Sequence, residues 1–568
     1  MSYESGRVDS WYIPRRDWSL RMTITRRELI RRAASLGLVG LVTPTLVNCG
    51  GDDGGETDSG TTGGGTDSDS GTTAGPDDGL PKYDYDGEPG PEGLFSHGVA
   101  SGDPLSDSVI LWTRLSPAAE GEQEVFYEIA LDPEFTDRVA AGTVTTDASR
   151  DYTVKLDTEA MTPSTTYYFR FMALGRTSLI GRTRTTPEGS WQRLRFAMCS
   201  CANIAQGFFY AYGGIGARAD LDAVIHLGDY IYEYGDGEYG DFVPLDPPHE
   251  IITLEDYRRR YAQYRSDVFL QEAHRQHPFI NVWDDHESAN NAYNGGAENH
   301  EDGEGSWAER LSVAQQAYHE WLPTREGNPG IIYRTLRFGD LLDLIMLDTR
   351  IVGRDKQSQQ VSDHADPERT LLGLEQEAWL EEQLTSSSAT WRIIGQQVMM
   401  APQYGPAGIL SSDQWDGYAA ARDRVLDVLE SNGIGNTAIL TGDIHSSWAA
   451  DIPRDLEAYN PETGEGSVLV EFVTPSVTSP GPGEAIVDLV FANNAHFRYG
   501  EGVKKGYVLL DVTPERIQGE WYHFDSVTID GDFPEYFAKA FAVMSGTSHL
   551  VEVGSPSAPI ADAPLLAP

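Results

Sequence analysis

Five times in this chain an apolar strand pattern ends and residues able to hold a metal ion follow at once. Arg195-Phe196-Ala197-Met198 runs into Cys199-Ser200-Cys201, and Ala223 to Leu227 runs into Gly228-Asp229. Phe279 to Trp283 leads to Asp284-Asp285-His286-Glu287, and Leu342 to Leu347 leads to Asp348. Thr437 to Thr441 leads to Gly442-Asp443-Ile444-His445. In α/β folds, ligand sites form where loops leave the carboxyl ends of strands. One Asp after a strand is ordinarily a cap or a turn residue. Several together, each with a second donor nearby, point to a metal site on an α/β domain spanning about 191–540.

The spacings add detail. Asp229 and Tyr232 are three apart, so one turn can aim both at one ion. A carboxylate can bridge two cations, and a phenolate is a hard donor that favours trivalent iron. Asp285 beside His286 offers a carboxylate next to an imidazole. Asp443 and His445 are two apart, which on extended chain points both the same way. His226 sits inside an apolar strand and reads as a core histidine.

The rest of the chain frames this module. With 568 residues, 40% hydrophobic and 10% aromatic, it has material for two or three folded domains. Its 88 acidic against 42 basic residues give a net charge of −46. Such a surface repels nucleic acid and anionic lipid, so no nucleic-acid-binding surface is expected. The three cysteines are Cys49, Cys199 and Cys201, and the last two are too close in sequence for a mutual disulfide.

Residues 1–49 read as a leader. Thr25-Arg26-Arg27-Glu28-Leu29-Ile30-Arg31 precedes an apolar run from Ala33 to Val47, broken by Pro44. A basic region before a moderate apolar run is a signal-peptide pattern, and Arg26-Arg27 resembles the twin-arginine signal. Met22 is a second candidate start. Leu46-Val47-Asn48-Cys49-Gly50 resembles a bacterial lipobox, which makes Cys49 a candidate lipid anchor; ordinary signal cleavage is the alternative. Residues 50–89 begin almost wholly as Gly, Asp, Ser, Thr and Glu and read as a flexible linker. The expected location is periplasmic or cell-surface after twin-arginine export.

Residues 90–190 read as β-rich. Val109–Arg114, Val125–Ala130, Tyr152–Leu156, Tyr167–Met172 and 178–185 are short strands parted by Gly, Pro and Asp. That spacing predicts a sandwich of the immunoglobulin or fibronectin type. The segment from 541 to 568 is read as a tail, either loose or folded over the site.

Several motifs resemble the PhoD-like alkaline phosphatases. They are FSHGVASGDPLSDSVILWTRLSP from Phe95, YIYEYGDG from Tyr230, WDDHESANNAY from Trp283, LDTR from Leu347, WDGYAAAR from Trp415, TGDIHSSW from Thr441 and EFVTPSVTS from Glu471. The order also resembles the calcineurin-like and purple acid phosphatases, with Cys201, Asp285 and Asp443 replacing a carboxylate, an Asn and a His of that pattern. The resemblance covers about 90–540. It implies a multidomain fold, with an N-terminal all-β sandwich and an α/β (αββα-type) metallophosphoesterase domain.

The resemblance further implies two adjacent metal sites. Cys201, Asp229, Tyr232 and His445 would hold Fe3+. Asp229, as bridge, would join Asp285 and Asp443 around Ca2+, although other divalent metals are open. Cys199 is the rival thiolate; the spacing from Cys201 to Gly207-Phe208 matches the family. Two adjacent cations can acidify a bound water and hold a phosphate ester. His286 and Arg350 are the candidate catalytic residues, one as proton donor to the leaving group and the other as a clamp on phosphate oxygens. Asn290, Asn291 and His496 are candidate substrate contacts. Two rival readings are a dinuclear nucleotidase and a non-catalytic surface lipoprotein with a degenerate phosphatase fold.

Overall fold

The computed structural model describes residues 78–117, 119–531 and 533–568. The expected signal, Cys49 and most of the expected linker lie outside the described residues. No helix of the described residues is long and apolar enough to cross a membrane.

The apolar runs form the centres of two sheets. Leu194–Cys199, Ala223–His226 and Pro278–Asn281 lie side by side and parallel, with every residue buried. Leu342–Met346, Trp391–Gln396, Thr437–Thr441 and Ser467–Val473 form a second parallel set. Strands covered on both faces read as unbroken apolar runs, and parallel neighbours need crossover connections. Helices Tyr210–Gly216, Leu254–Arg265 and Val268–Gln276 supply crossovers in the first set, and Gly373–Ser386 and Ala419–Ser431 in the second. Their starts are written locally: Thr253 and Asp256 form a capping box, and the Asp267 carboxylate accepts two amides of the next helix.

The first sheet grows to ten strands. Antiparallel Lys505–Val512, Arg516–Phe524, Tyr536–Met544 and Leu550–Val553 extend one side of the parallel trio. The second has seven strands, closed by Arg334–Phe338 at one edge and by Ser447–Pro453 and Phe497–Glu501 at the other. The sheets face one another. Phe196 meets Phe338 edge-on at 5.1 Å, Phe472 lies 6.1 Å from Trp521, and the Trp521 indole donates to the Val473 carbonyl at 3.0 Å. A Cβ at Gly519 would lie 2.5 Å from the Phe472 ring, so the close approach requires glycine there.

Two expectations are corrected. The module at 90–190 does not form a sandwich of its own. Val99–Gly102, Ile110–Arg114 and Thr153–Asp157 join the ten-stranded sheet, with Ser101 opposite Pro278 and Gly102 opposite Phe279 in parallel register. The remaining strands, Gln123–Ala130, Arg138–Thr146, Thr166–Ala173, Arg176–Thr177 and Gly181–Arg184, make a five-stranded antiparallel sheet. Val99, Leu111 and Val154 pack with Val125, Ile129, Phe169 and Phe171 in one core. One layer is therefore the edge of the larger sheet, because Pro278–Asn281 offers a free strand edge that local spacing does not reveal.

The segment after 541 is not a loose tail. It completes two strands, after which Arg195 donates to the Ala558 carbonyl at 3.0 Å and Gln276 brackets Ala567 at 2.8 and 3.0 Å. The end of the expected linker is likewise ordered: Asp78 pairs with Arg138 at 2.7 Å, and the Tyr83 ring lies 5.8 Å from Phe126.

Candidate metal centre

The loops leaving the parallel strands meet at one point. An isolated parallel bridge, Ser200 with Ser476, ties the two sheets together beside it. Gly228 takes φ +99°, and a Cβ there would lie 2.4 Å from the Asp284 Cβ. Only glycine lets the Asp229 loop touch the Asp284 loop so closely. Cys201, Asp229, Asp443 and His445 then adopt left-handed backbone, with φ of 60°, 56°, 60° and 56°. Such conformations cost non-glycine residues energy, and they collect where a structure must aim side chains. The turn at 443–445 is thus not the extended chain that the two-residue spacing suggested.

Three donor groups result. Ligand atoms of Cys201, Asp229 and His445 lie within 4.8 Å of one another, as do those of Asp229, Asp285 and His286, and those of Asp284, Asp285 and Asp443. Tyr232 joins the first group: its hydroxyl donates to Asp229 Oδ2 at 2.8 Å and lies 3.2 Å from His445 Nε2. Ser479 donates to the Tyr232 oxygen at 2.7 Å, which fixes the phenol. His445 Nδ1 donates to the Pro480 carbonyl at 3.0 Å, so Nε2 is the nitrogen turned to the cluster. The structure therefore brings Cys201, Asp229, Tyr232, Asp285, Asp443 and His445 together.

The donor set fits metal ions. Asp229 Oδ1 and Asp284 Oδ2 are buried with no hydrogen-bond partner among the described residues. Buried carboxylate oxygens ordinarily have partners, and a cation would satisfy these. Burial disfavours the Asp229 carboxylate, but His286 and His445 hold it below the usual carboxylate range. Burial raises Asp285 to about 6, with Arg350 and His286 opposing the rise. Burial and Asp229 push the Cys201 thiol well up.

The candidate catalytic pair divides. His286 Nδ1 donates to Glu233 Oε2 at 2.7 Å, leaving Nε2 available on the other side of the ring. Burial opposes its charge, yet Glu233, Asp285 and Asp229 together raise its pKa well above the imidazole norm. Arg350 does not present a free fork. It is fully buried, and its three nitrogens pair with Asp284, with Asp413 at 2.7 Å, and with Asp443. Low-dielectric surroundings keep such a cation on its carboxylates, so Arg350 positions Asp284 and Asp443.

The candidate substrate contacts divide as well. The backbone amides of Asn290 and Asn291 donate to Glu233 at 2.8 Å and to Asp285 at 2.6 Å, while the Asn291 side-chain amide is taken by Glu298. His496 lies elsewhere. Its Nε2 bonds the Pro402 carbonyl at 2.9 Å and its ring packs on Tyr459 and Phe497; among the described residues none of these contacts is with the cluster. The strand Phe497–Glu501 carries it to the far side of the second sheet from Thr437–Thr441, beyond Ser447–Pro453.

Cys199 is buried at the end of its strand, and the His226 ring bonds the Tyr212 hydroxyl at 2.8 Å, both as core residues. Sequence reasoning gave no role to Glu233, Glu287, Asp413 or Gln414. Gln414 donates to Asp443 Oδ2 at 2.6 Å, and Asp413 is shared by Arg350 and Arg354. Glu233 and Glu287 stand inside the quoted motifs, directly after Tyr232 and His286, which was their only signal.

Carboxylates, an imidazole, a thiol and a phenol gathered around one shared Asp, at the carboxyl ends of parallel strands, define a metal-dependent hydrolase of the kind that cleaves phosphate esters. Family comparison makes this specific. A model described as PhoD-like phosphatase matches residues 196–521, and one described as PhoD-like phosphatase, N-terminal domain, matches 85–187. The chain is 38% identical over 465 residues to alkaline phosphatase D of Bacillus subtilis (strain 168), covering 77% of this chain and 79% of that protein. It superposes on a solved structure of PhoD with a TM-score of 0.76 at 36% identity, covering 84% of this chain and 94% of the other. The chain belongs to the PhoD-like phosphatase family and is a phosphoesterase.

Proposed function

We propose that this phosphoesterase hydrolyses phosphomonoesters or phosphodiesters with Fe3+ held by Cys201, Asp229, Tyr232 and His445, and Ca2+ held by Asp229, Asp285 and Asp443. The observation that carries the reading is a chain of shared donors: Asp229 groups with Cys201 and His445 and again with Asp285 and His286, and Asp285 groups in turn with Asp284 and Asp443. Thiolate, phenolate and imidazole suit a transition metal, and an all-carboxylate set suits a hard cation. Two cations bound there supply charge that polarises the phosphoryl group and acidifies a water.

The chain's own residues do the rest. Glu233 fixes His286 through Nδ1, so Nε2 can hand a proton to the departing alkoxide. The Tyr232 ring packs 4.2 Å from the His286 ring and holds its plane. Glu287 holds the Asp229 and Asp284 loops in register. Arg350 balances the Asp284, Asp413 and Asp443 carboxylates, which leaves Asn290 as the candidate side-chain contact for the phosphate.

We also propose twin-arginine export, with a lipid anchor at Cys49. The motifs at Arg26-Arg27 and Leu46–Cys49 support that reading. Fractionation of cells expressing the full chain tests it: Arg26→Lys with Arg27→Lys should leave the protein in the cytoplasm, and Cys49→Ala should abolish labelling by radioactive palmitate.

Elemental analysis of the purified full chain, with assays on p-nitrophenyl phosphate and its bis-ester, tests the central reading. Iron and calcium with turnover are expected. A visible phenolate-to-iron absorption band lost in Tyr232→Phe would place the iron at the first group; zinc alone, with no such band, contradicts it.

A further inference from the structure

Two tyrosines beside the metal centre are used by none of the roles above. Tyr234 and Tyr239 lie on the segment that follows the Asp229 loop. Their rings are 5.2 Å apart at 58°. Tyr239 lies 5.8 Å from the Tyr232 ring and 6.4 Å from His286, nearly parallel to it at 21°. Tyr234 lies 5.5 Å from His286. Together the two rings wall the side of the centre on which His286 stands.

Three features set them apart from packing residues. Both are half-buried, whereas Tyr230, Tyr232 and His286 are buried. Among the described residues no hydrogen bond reaches either phenol oxygen, although the other tyrosines of this motif are bonded. Both rings also lie against His286, whose ring nitrogen groups with the Asp229 and Asp285 carboxylates.

The backbone carrying them is fixed. The Tyr234 carbonyl accepts from Arg260 at 3.0 Å. The Tyr239 carbonyl accepts from Asn203 at 3.0 Å and from Gln206 at 2.9 Å. Glu238 closes the turn between them by accepting the Gly235 amide at 2.8 Å. Rigid, half-exposed aromatic rings with free hydroxyls are what a binding wall for a ring-bearing group needs.

We propose that Tyr234 and Tyr239 form the specificity wall for the organic group of the ester, and that the enzyme prefers phosphoesters whose ester group carries a ring. This rests on the phosphoesterase reading of the adjoining centre. The leaving oxygen must face His286 to receive its proton, so the carbon group attached to it falls against the two rings that flank His286. Ring faces there add attraction for a sugar or aryl ring and none for a methyl group.

The test compares kcat/KM for phenyl methyl phosphate, followed as phenol, with that for dimethyl phosphate, followed as methanol, in the full metal-loaded chain. Variants are Tyr234→Ala, Tyr239→Ala, and Phe at each position. The ratio of aryl to methyl ester should fall about three- to tenfold for each Ala variant, the worth of one aromatic pair, and mainly through KM. Phe variants should retain most of the ratio. General damage to the centre would lower both esters alike and leave the ratio unchanged, and an unchanged ratio overturns the proposal. A Phe variant that falls as far as Ala overturns it too, because the ring face would then not be the contact. A wild-type enzyme that cleaves neither these esters nor p-nitrophenyl phosphate would overturn the phosphoesterase reading and the wall with it, whereas an active wild type with an unaltered ratio overturns the wall alone.

Discussion

The Glu287 carboxylate accepts the backbone amide of Asp229 at 3.1 Å, and with the same oxygen the amide of Asp284 at 2.8 Å. Its other oxygen takes the Tyr230 amide at 2.7 Å. One side chain thus binds the loops that leave two neighbouring parallel strands. Burial and the nearby Asp229 charge raise Glu287 to about 8, and the three donated amides are what keep it in place.

Glu287→Gln retains one acceptor oxygen and leaves at least one buried amide unpaired, which costs about 1–3 kcal/mol. The expected outcome is a lower melting temperature and weaker retention of metal on dialysis. Calorimetry and elemental analysis before and after chelation read both effects. Unchanged retention would mean that the loops are held without it.

His286 should matter in proportion to how badly the leaving group needs a proton. His286→Gln, and Glu233→Gln at one remove, should slow alkyl phosphate hydrolysis by about 10²–10⁴-fold. p-Nitrophenolate leaves readily without a proton, so the loss on that ester should be far smaller. Equal losses on alkyl and aryl esters would show that His286 serves the centre in some other way.

Asp267 gives a stability test remote from the metals. Its carboxylate caps the helix Val268–Gln276, and burial lifts it to about 6 while the two capped amides oppose the rise. The native state therefore binds more protons than the unfolded chain between about pH 4 and 6, and stability falls as pH rises through that window. Asn caps as well as Asp without the charge. Asp267→Asn should stabilise the protein by about 1–3 kcal/mol at pH 8, with the gain fading toward pH 4. Denaturant unfolding at both pH values measures it; a gain that does not depend on pH contradicts the assignment.

The candidate metal ligands are legible because each follows a strand whose apolar run is unbroken, and because the loops are short. Asp229, Asp285 and Asp443 stand within four residues of a strand end, so the parallel sheets alone bring them near one another. Their supports were less legible. Arg350 reads from sequence as a clamp on phosphate oxygens, but three carboxylates from distant loops claim its fork, and that competition has no local pattern. His496 looks equivalent to the other histidines until strand order puts two strands between it and Thr437–Thr441. The N-terminal strands alternate and turn as a sandwich would, yet Ser101 pairs with Pro278 across 177 positions. Register between strands so far apart is set by the edge available in the folded sheet.

In the proposed centre Asp229 is shared by both metal sites. The most direct measurement is iron and calcium content together with turnover of p-nitrophenyl phosphate, for the wild type and Asp229→Asn. The wild type should carry both ions, and the variant should lose both along with about 100-fold or more of its turnover. An Asn variant that keeps both metals and full activity would contradict the account.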